Sequence, residues 1–113
     1  MKFKTDAGFE SSWLQGEIRT NYETLVACFG QPGEGDGYKV QAEWSIKFAD
    51  GTYATIYDWK EGDSYHGEGM GIPAEAVTNW HIGGSQSRAV TRVEEALNEF
   101  LNKNCYRAPA QLA

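Results

Sequence analysis

The stretch Lys39-Val40-Gln41-Ala42-Glu43-Trp44-Ser45-Ile46-Lys47-Phe48-Ala49-Asp50-Gly51-Thr52-Tyr53-Ala54-Thr55-Ile56-Tyr57-Asp58-Trp59 decides the fold. In its first half Val40, Ala42, Trp44, Ile46 and Phe48 alternate with Lys39, Gln41, Glu43, Ser45 and Lys47. A period of two puts the apolar set on one face of a strand and the polar set on the other. Asp50-Gly51 then reads as a two-residue turn suited to a right-twisted hairpin, and Thr52 to Trp59 is rich in β-branched and aromatic residues. The expectation is a β-hairpin. In the register set by that turn, Phe48 opposes Tyr53, Ile46 opposes Thr55, Trp44 opposes Tyr57 and Ala42 opposes Trp59 on the face that must be covered. Lys47 then opposes Ala54, Ser45 opposes Ile56, and Glu43 opposes Asp58 on the other.

Toward the N-terminus, Leu14 to Ile18 reads as a short strand, and Thr20-Asn21-Tyr22-Glu23 has the spacing of a capping box. A helix is expected from there, with Tyr22, Leu25, Val26 and Phe29 on one face, stopped by Gly30 and Pro32. Toward the C-terminus, residues 61–71 form a polar, Gly-rich loop of the kind that is functional or mobile. Thr78 to Ile82 reads as a third strand with Trp80 and Ile82 on one face and His81 on the other, ended by Gly83-Gly84. Ser85 or Ser87 then caps a helix whose Val90, Val93, Leu97, Phe100 and Leu101 make an apolar stripe. The fold class expected is α+β: a short N-terminal helix, an antiparallel hairpin plus third strand, and a C-terminal helix packed on one face of the sheet. The chain reads as one domain with its ordered core over about residues 12–103 and a loosely held tail over 104–113.

The 113 residues include 41% hydrophobic side chains, with four Trp, six Tyr and five Phe, which suits a packed core and argues against disorder. No apolar stretch follows the basic start Met1-Lys2-Phe3-Lys4, so neither secretion nor membrane insertion is indicated and a cytoplasmic setting is expected. Cys28 and Cys105 read as packing residues rather than a disulfide framework. The formal charge is −6, and residues 34–75 hold nine acids against three lysines while the rest of the chain is balanced. An acidic middle repels phosphate backbones, which makes direct nucleic-acid binding unfavourable and a basic protein surface attractive.

Four groupings are candidates for chemistry. Glu43 and Asp58, if opposed, would perturb each other's ionisation or hold a cation, although Lys47 and Lys60 lie close enough to offset them. His66 and His81, with Asp58, Glu61, Asp63 and Glu68, lack any spacing that marks a metal site, and no cofactor motif is present. Gly83-Gly84-Ser85 lies between a strand and a helix start, where free amides accept an anion; a plain turn explains it as well. Among the aromatics Tyr53, Tyr57, Trp59, Tyr65 and Trp80, most belong to the core, while Trp59 and Tyr65 are placed to be partly exposed.

The runs Ala54-Thr55-Ile56-Tyr57-Asp58-Trp59-Lys60 and Trp80-His81-Ile82-Gly83-Gly84, with Leu14-Gln15-Gly16 and Phe29-Gly30-Gln31-Pro32 before them, carry a resemblance. Over about residues 12–97 the chain resembles a family of small proteins of uncharacterised function encoded by tailed bacteriophages and some large DNA viruses. The resemblance implies a viral accessory protein acting in the host cytoplasm and carries no site residues with it. Two functions then compete. One is a non-enzymatic protein that binds and inhibits a host protein, such as a defence or nucleic-acid-processing enzyme, through the acidic middle. The other is a protein that binds or cleaves a small, nucleotide-derived ligand in a pocket formed by His81, Asp58, Lys60 and Gly83. The candidate binding residues across the two readings are Asp58, Trp59, Lys60, Glu61, Asp63, Tyr65, His66, Glu68, His81, Gly83 and Gly84. Pairing of two copies is open in either case.

Overall fold

A computed structural model describes residues 2–5, 7–8, 12–35, 38–62 and 66–103. Asp63 and Tyr65, two of the expected binding residues, lie outside them, as do Cys105 and the rest of the C-terminal tail. Along the chain run β1 (Phe3–Thr5), β2 (Trp13–Arg19), α1 (Tyr22–Phe29), β3 (Gly33–Glu34), β4 (Ala42–Phe48), β5 (Tyr53–Tyr57), a 3-10 turn (Ala74–Ala76), β6 (Asn79–Gly84) and α2 (Arg88–Lys103). The strands form one antiparallel sheet in the order β1-β4-β5-β6-β2, with β3 also paired to β4. The architecture is therefore α+β, but its first helix follows two strands and is not N-terminal. The polar start hides β1, whose Phe3 packs against Phe29 and Phe48 at ring separations of 5.1 and 5.9 Å.

α1 begins one residue later than the capping-box reading places it. The Thr20 amide donates to the Thr78 carbonyl (3.0 Å), which ties Thr20 to the chain just before β6, and Asn21 becomes the cap, its Oδ1 accepting from the Thr24 amide (2.8 Å). Gly30, at φ +88°, ends the helix and donates its N–H to the Val26 carbonyl. The Trp44 indole N–H donates to the Gly30 carbonyl at 2.7 Å, fastening this helix end to β4.

The hairpin is present, but its register differs by one residue. Phe48 N–H donates to the Thr52 carbonyl (2.8 Å) and Gly51 N–H to the Phe48 carbonyl (2.9 Å), so the loop is Ala49-Asp50-Gly51, with Gly51 left-handed at φ +91°. This is a tight turn followed by a left-handed glycine, not a two-residue turn. Lys47 consequently opposes Tyr53, Ile46 opposes Ala54, Ser45 opposes Thr55, Trp44 opposes Ile56 and Glu43 opposes Tyr57. A one-residue slip moves every β5 side chain to the other face. The helix-covered face thus takes Ala54 and Ile56, and the opposed pair Glu43 and Asp58 does not exist.

That covered face carries the core. Trp44, Ile46, Ile56, Trp80 and Ile82 meet Leu25 and Phe29 of α1 and Ala89, Val93, Ala96 and Leu97 of α2, all buried. Trp44 and Trp80 pack edge to face at 5.4 Å, with Tyr22 against both rings. Close approach of α2 requires two glycines in the sheet. A Cβ on Gly16 would lie 2.9 Å from Val90 Cγ2, and one on Gly84 would lie 2.7 Å from Ala89 Cβ and 2.9 Å from the Tyr53 carbonyl.

Candidate functional site

Both helices lie on one face of the sheet, and the other face is built from the remaining alternation: Glu17 of β2, His81 and Gly83 of β6, Tyr53, Thr55 and Tyr57 of β5, and Glu43, Ser45 and Lys47 of β4. At one end it is covered, for Tyr53 and Thr55 are buried and the Tyr53 hydroxyl donates to the Gly8 carbonyl at 2.8 Å. At the other end it is open.

There the Tyr57 ring stacks on His81 (5.6 Å between centroids, 22° between planes) and meets the edge of Trp59 at 6.2 Å. Trp59 is 38% exposed, and the Nζ atoms of Lys39 and Lys60 stand 5.7 and 5.5 Å from its ring centroid, within reach of cation–π attraction. Burial first, and the Glu43 carboxylate second, push the Tyr57 phenol above its ordinary value, so it stays a neutral donor. His81 Nε2 lies 3.9 Å from Glu17 Oε2, while the other Glu17 oxygen accepts from Asn79 Nδ2 at 2.7 Å. His81 Nδ1 is buried without a hydrogen-bond partner. The result is an aromatic platform, Trp59-Tyr57-His81, rimmed by two lysines and two glutamates. Such a surface holds a flat or apolar group and orients its charges, which is binding chemistry.

Asp58 is not part of that platform. It is fully buried, its Oδ1 accepts from the amides of Gln41 (2.8 Å) and Ala42 (3.0 Å), and its Oδ2 accepts from Gln41 Nε2 (2.8 Å). A carboxylate is tolerated inside only when hydrogen bonds satisfy it, and here it pins the entry of β4. Gln41 Nε2 also donates to the Ile72 carbonyl (2.9 Å), so the same pair anchors the end of the long loop. Sequence reasoning misses Gln41 because nothing in its local pattern marks a partner seventeen residues away.

The loop is knitted onto this anchor. Lys60, left-handed at φ +60°, turns the chain out of the sheet and donates its N–H to the Lys39 carbonyl. The Ile72 amide donates to the Glu61 carbonyl, and exposed His66 donates from Nε2 to the Lys60 carbonyl (2.6 Å). Glu68 is exposed. His66 is therefore a loop fastener, and among the described residues no group of three or more His, Cys, Asp or Glu is placed to hold a metal ion.

Gly83 and Gly84 do not end β6; they are its last paired residues, opposite Leu14 and Trp13 of β2 and Thr55 and Ala54 of β5. The space a Gly83 side chain would need is filled by Thr55 and Tyr57, and Gly84 makes room for α2. Their presence is explained by packing, and the four-residue pocket of His81, Asp58, Lys60 and Gly83 is not assembled: Asp58 is sealed away and Gly83 is roofed. Cys28 is half-buried, with Sγ 3.8 Å from the Ala96 carbonyl, and burial pushes its thiol up to about 11. Among the described residues no helix is long and apolar enough to cross a membrane. Compared with protein-family models and with curated proteins, the chain matches none.

Proposed function

We propose that this chain is a non-enzymatic binding protein that engages and inhibits a host protein through the open end of its outer sheet face. The observation that carries the reading is Trp59, part-exposed, braced by Tyr57 and flanked by Lys39 and Lys60. An aromatic anchor ringed by polar and charged groups is the usual energetic centre of a protein interface. The viral family that the Ala54 to Lys60 and Trp80 to Gly84 runs resemble makes a host protein the natural target. Asp58 contributes no surface charge, which shifts the contact from the acidic loop toward Trp59.

The test is recovery of the tagged chain from host cells beside two variants, Trp59→Ala and the triple reversal of Glu61, Asp63 and Glu68 to lysine. One host protein should co-purify at stoichiometric yield with the wild type and be lost with Trp59→Ala at unchanged Tm. Loss only with the triple reversal would move the contact to the acidic loop. A chain recovered alone would remove the reading.

A further inference from the structure

We propose that two copies of this chain pair antiparallel along β2, with Ile18 opposite Ile18 and Glu17 of each copy opposite Arg19 of the other. β2 ends the strand order, so its far side has no strand partner among the described residues. The Thr20 amide bonds to Thr78, which turns the backbone groups of Thr20, Ile18 and Gly16 toward β6. In an antiparallel ladder the alternate residues then direct theirs outward, so Glu17 and Arg19 present N–H and C=O groups to a new strand. Pairing Glu17 with Arg19 of a second copy closes two hydrogen bonds, and its symmetry mate closes two more.

The same register is complementary in charge. Arg19 is exposed and has no ion pair among the described residues, and it shares the outer face with Glu17. Directly opposed residues of an antiparallel pair have neighbouring side chains, so each Arg19 meets a Glu17 carboxylate. The ladder is short, because the register shift between Leu14 and Gly16 interrupts it before Trp13. A groove of about 490 Å³ beside the edge, mostly polar and lined by Arg19, Thr20, Thr24, Glu94 and Asn98 with Leu101 among them, brings hydrogen-bonding surface from α1 and α2 to the same contact. A two-fold axis through Ile18 joins the two grooves into one.

Sedimentation equilibrium over a concentration series gives the mass, and amide exchange read by NMR gives the edge. The wild type should reach twice the chain mass, and Arg19→Glu should weaken the dimer by about tenfold or more, since like charges then oppose. The swap Glu17→Arg with Arg19→Glu should restore it, with circular dichroism confirming that each variant is folded. Exchange at the Glu17 and Arg19 amides should slow as concentration rises. A wild type that stays monomeric, an Arg19→Glu dimer as tight as the wild type, or a swap that stays monomeric would overturn the proposal. Protection at those amides independent of concentration would also overturn it, by placing a segment of the same chain on the edge.

Discussion

Both oxygens of the Asp58 carboxylate are committed to residues 41 and 42, so the side chain is a fixed hydrogen-bond acceptor. Truncation to alanine strands two backbone amides and the Gln41 amide, and about 3 kcal/mol of stability should be lost in urea unfolding. Asp58→Asn, which keeps an acceptor for the two backbone amides while the Gln41 amide turns over, should lose roughly half as much. Equal losses for the two would count against the hydrogen bonds as the cause. Cys28 illustrates the opposite use of burial. With its thiol raised from 9.0 to about 11, about a hundredfold less thiolate is present at neutral pH. Its contribution to stability is full below the ordinary thiol value and declines as pH rises toward the raised one. In a Cys105→Ser background, disulfide-exchange labelling at pH 8 should be slowed by that order relative to the urea-unfolded chain; labelling at the free-thiol rate would contradict the burial.

At the level of elements, the hairpin was legible as a hairpin but its register was not. Asp50-Gly51 fits both a two-residue turn and the longer turn that forms, and β5 offers two passable faces, Tyr53-Thr55-Tyr57 and Ala54-Ile56. Period alone does not choose between them. The bonds of Asp50 do: its Oδ1 accepts from the Thr52 amide within the turn (2.9 Å), and its Oδ2 accepts from Arg92 Nε (2.9 Å), a tertiary contact that clamps the turn to α2. Those bonds, Thr52 first and Arg92 next, hold the Asp50 carboxyl well below the ordinary carboxylate range. Its contribution is therefore present above about pH 4, the unfolded value, and fades as pH falls. The difference in urea midpoint between wild type and Asp50→Asn should be constant from pH 5 to 8 and shrink below pH 4; a constant gap down to pH 2 would mean that neither the Thr52 bonds nor the Arg92 ion pair favours the ionised carboxyl. The helices and β6 followed their apolar periods. The site followed less well, because Trp59 and His81 become neighbours only through Tyr57, and that juxtaposition depends on the register.

At the scale of the whole molecule, α1 and α2 lie on one side of the sheet and the proposed binding surface on the other, so core and surface vary independently. Substitution of Trp59 should leave Tm near the wild-type value, while substitution of Trp80, fully buried against Trp44 and Tyr22, should unfold the chain or nearly so. The strand order has a kinetic consequence as well. β1 and β2 are adjacent in sequence but close the sheet from opposite margins, β1 against β4 and β2 against β6. Neither can dock until much later residues exist, because β2 waits for Gly84 to emerge. During synthesis the hairpin can form first from nearby residues and β1 can join β4 once that strand is out, whereas β2 stays unpaired until residues 79–84 have left the ribosome. A nascent chain stalled before residue 79 therefore lacks a sheet partner for Trp13 and Leu14, and that window, rather than the finished fold, is when this protein most needs a chaperone.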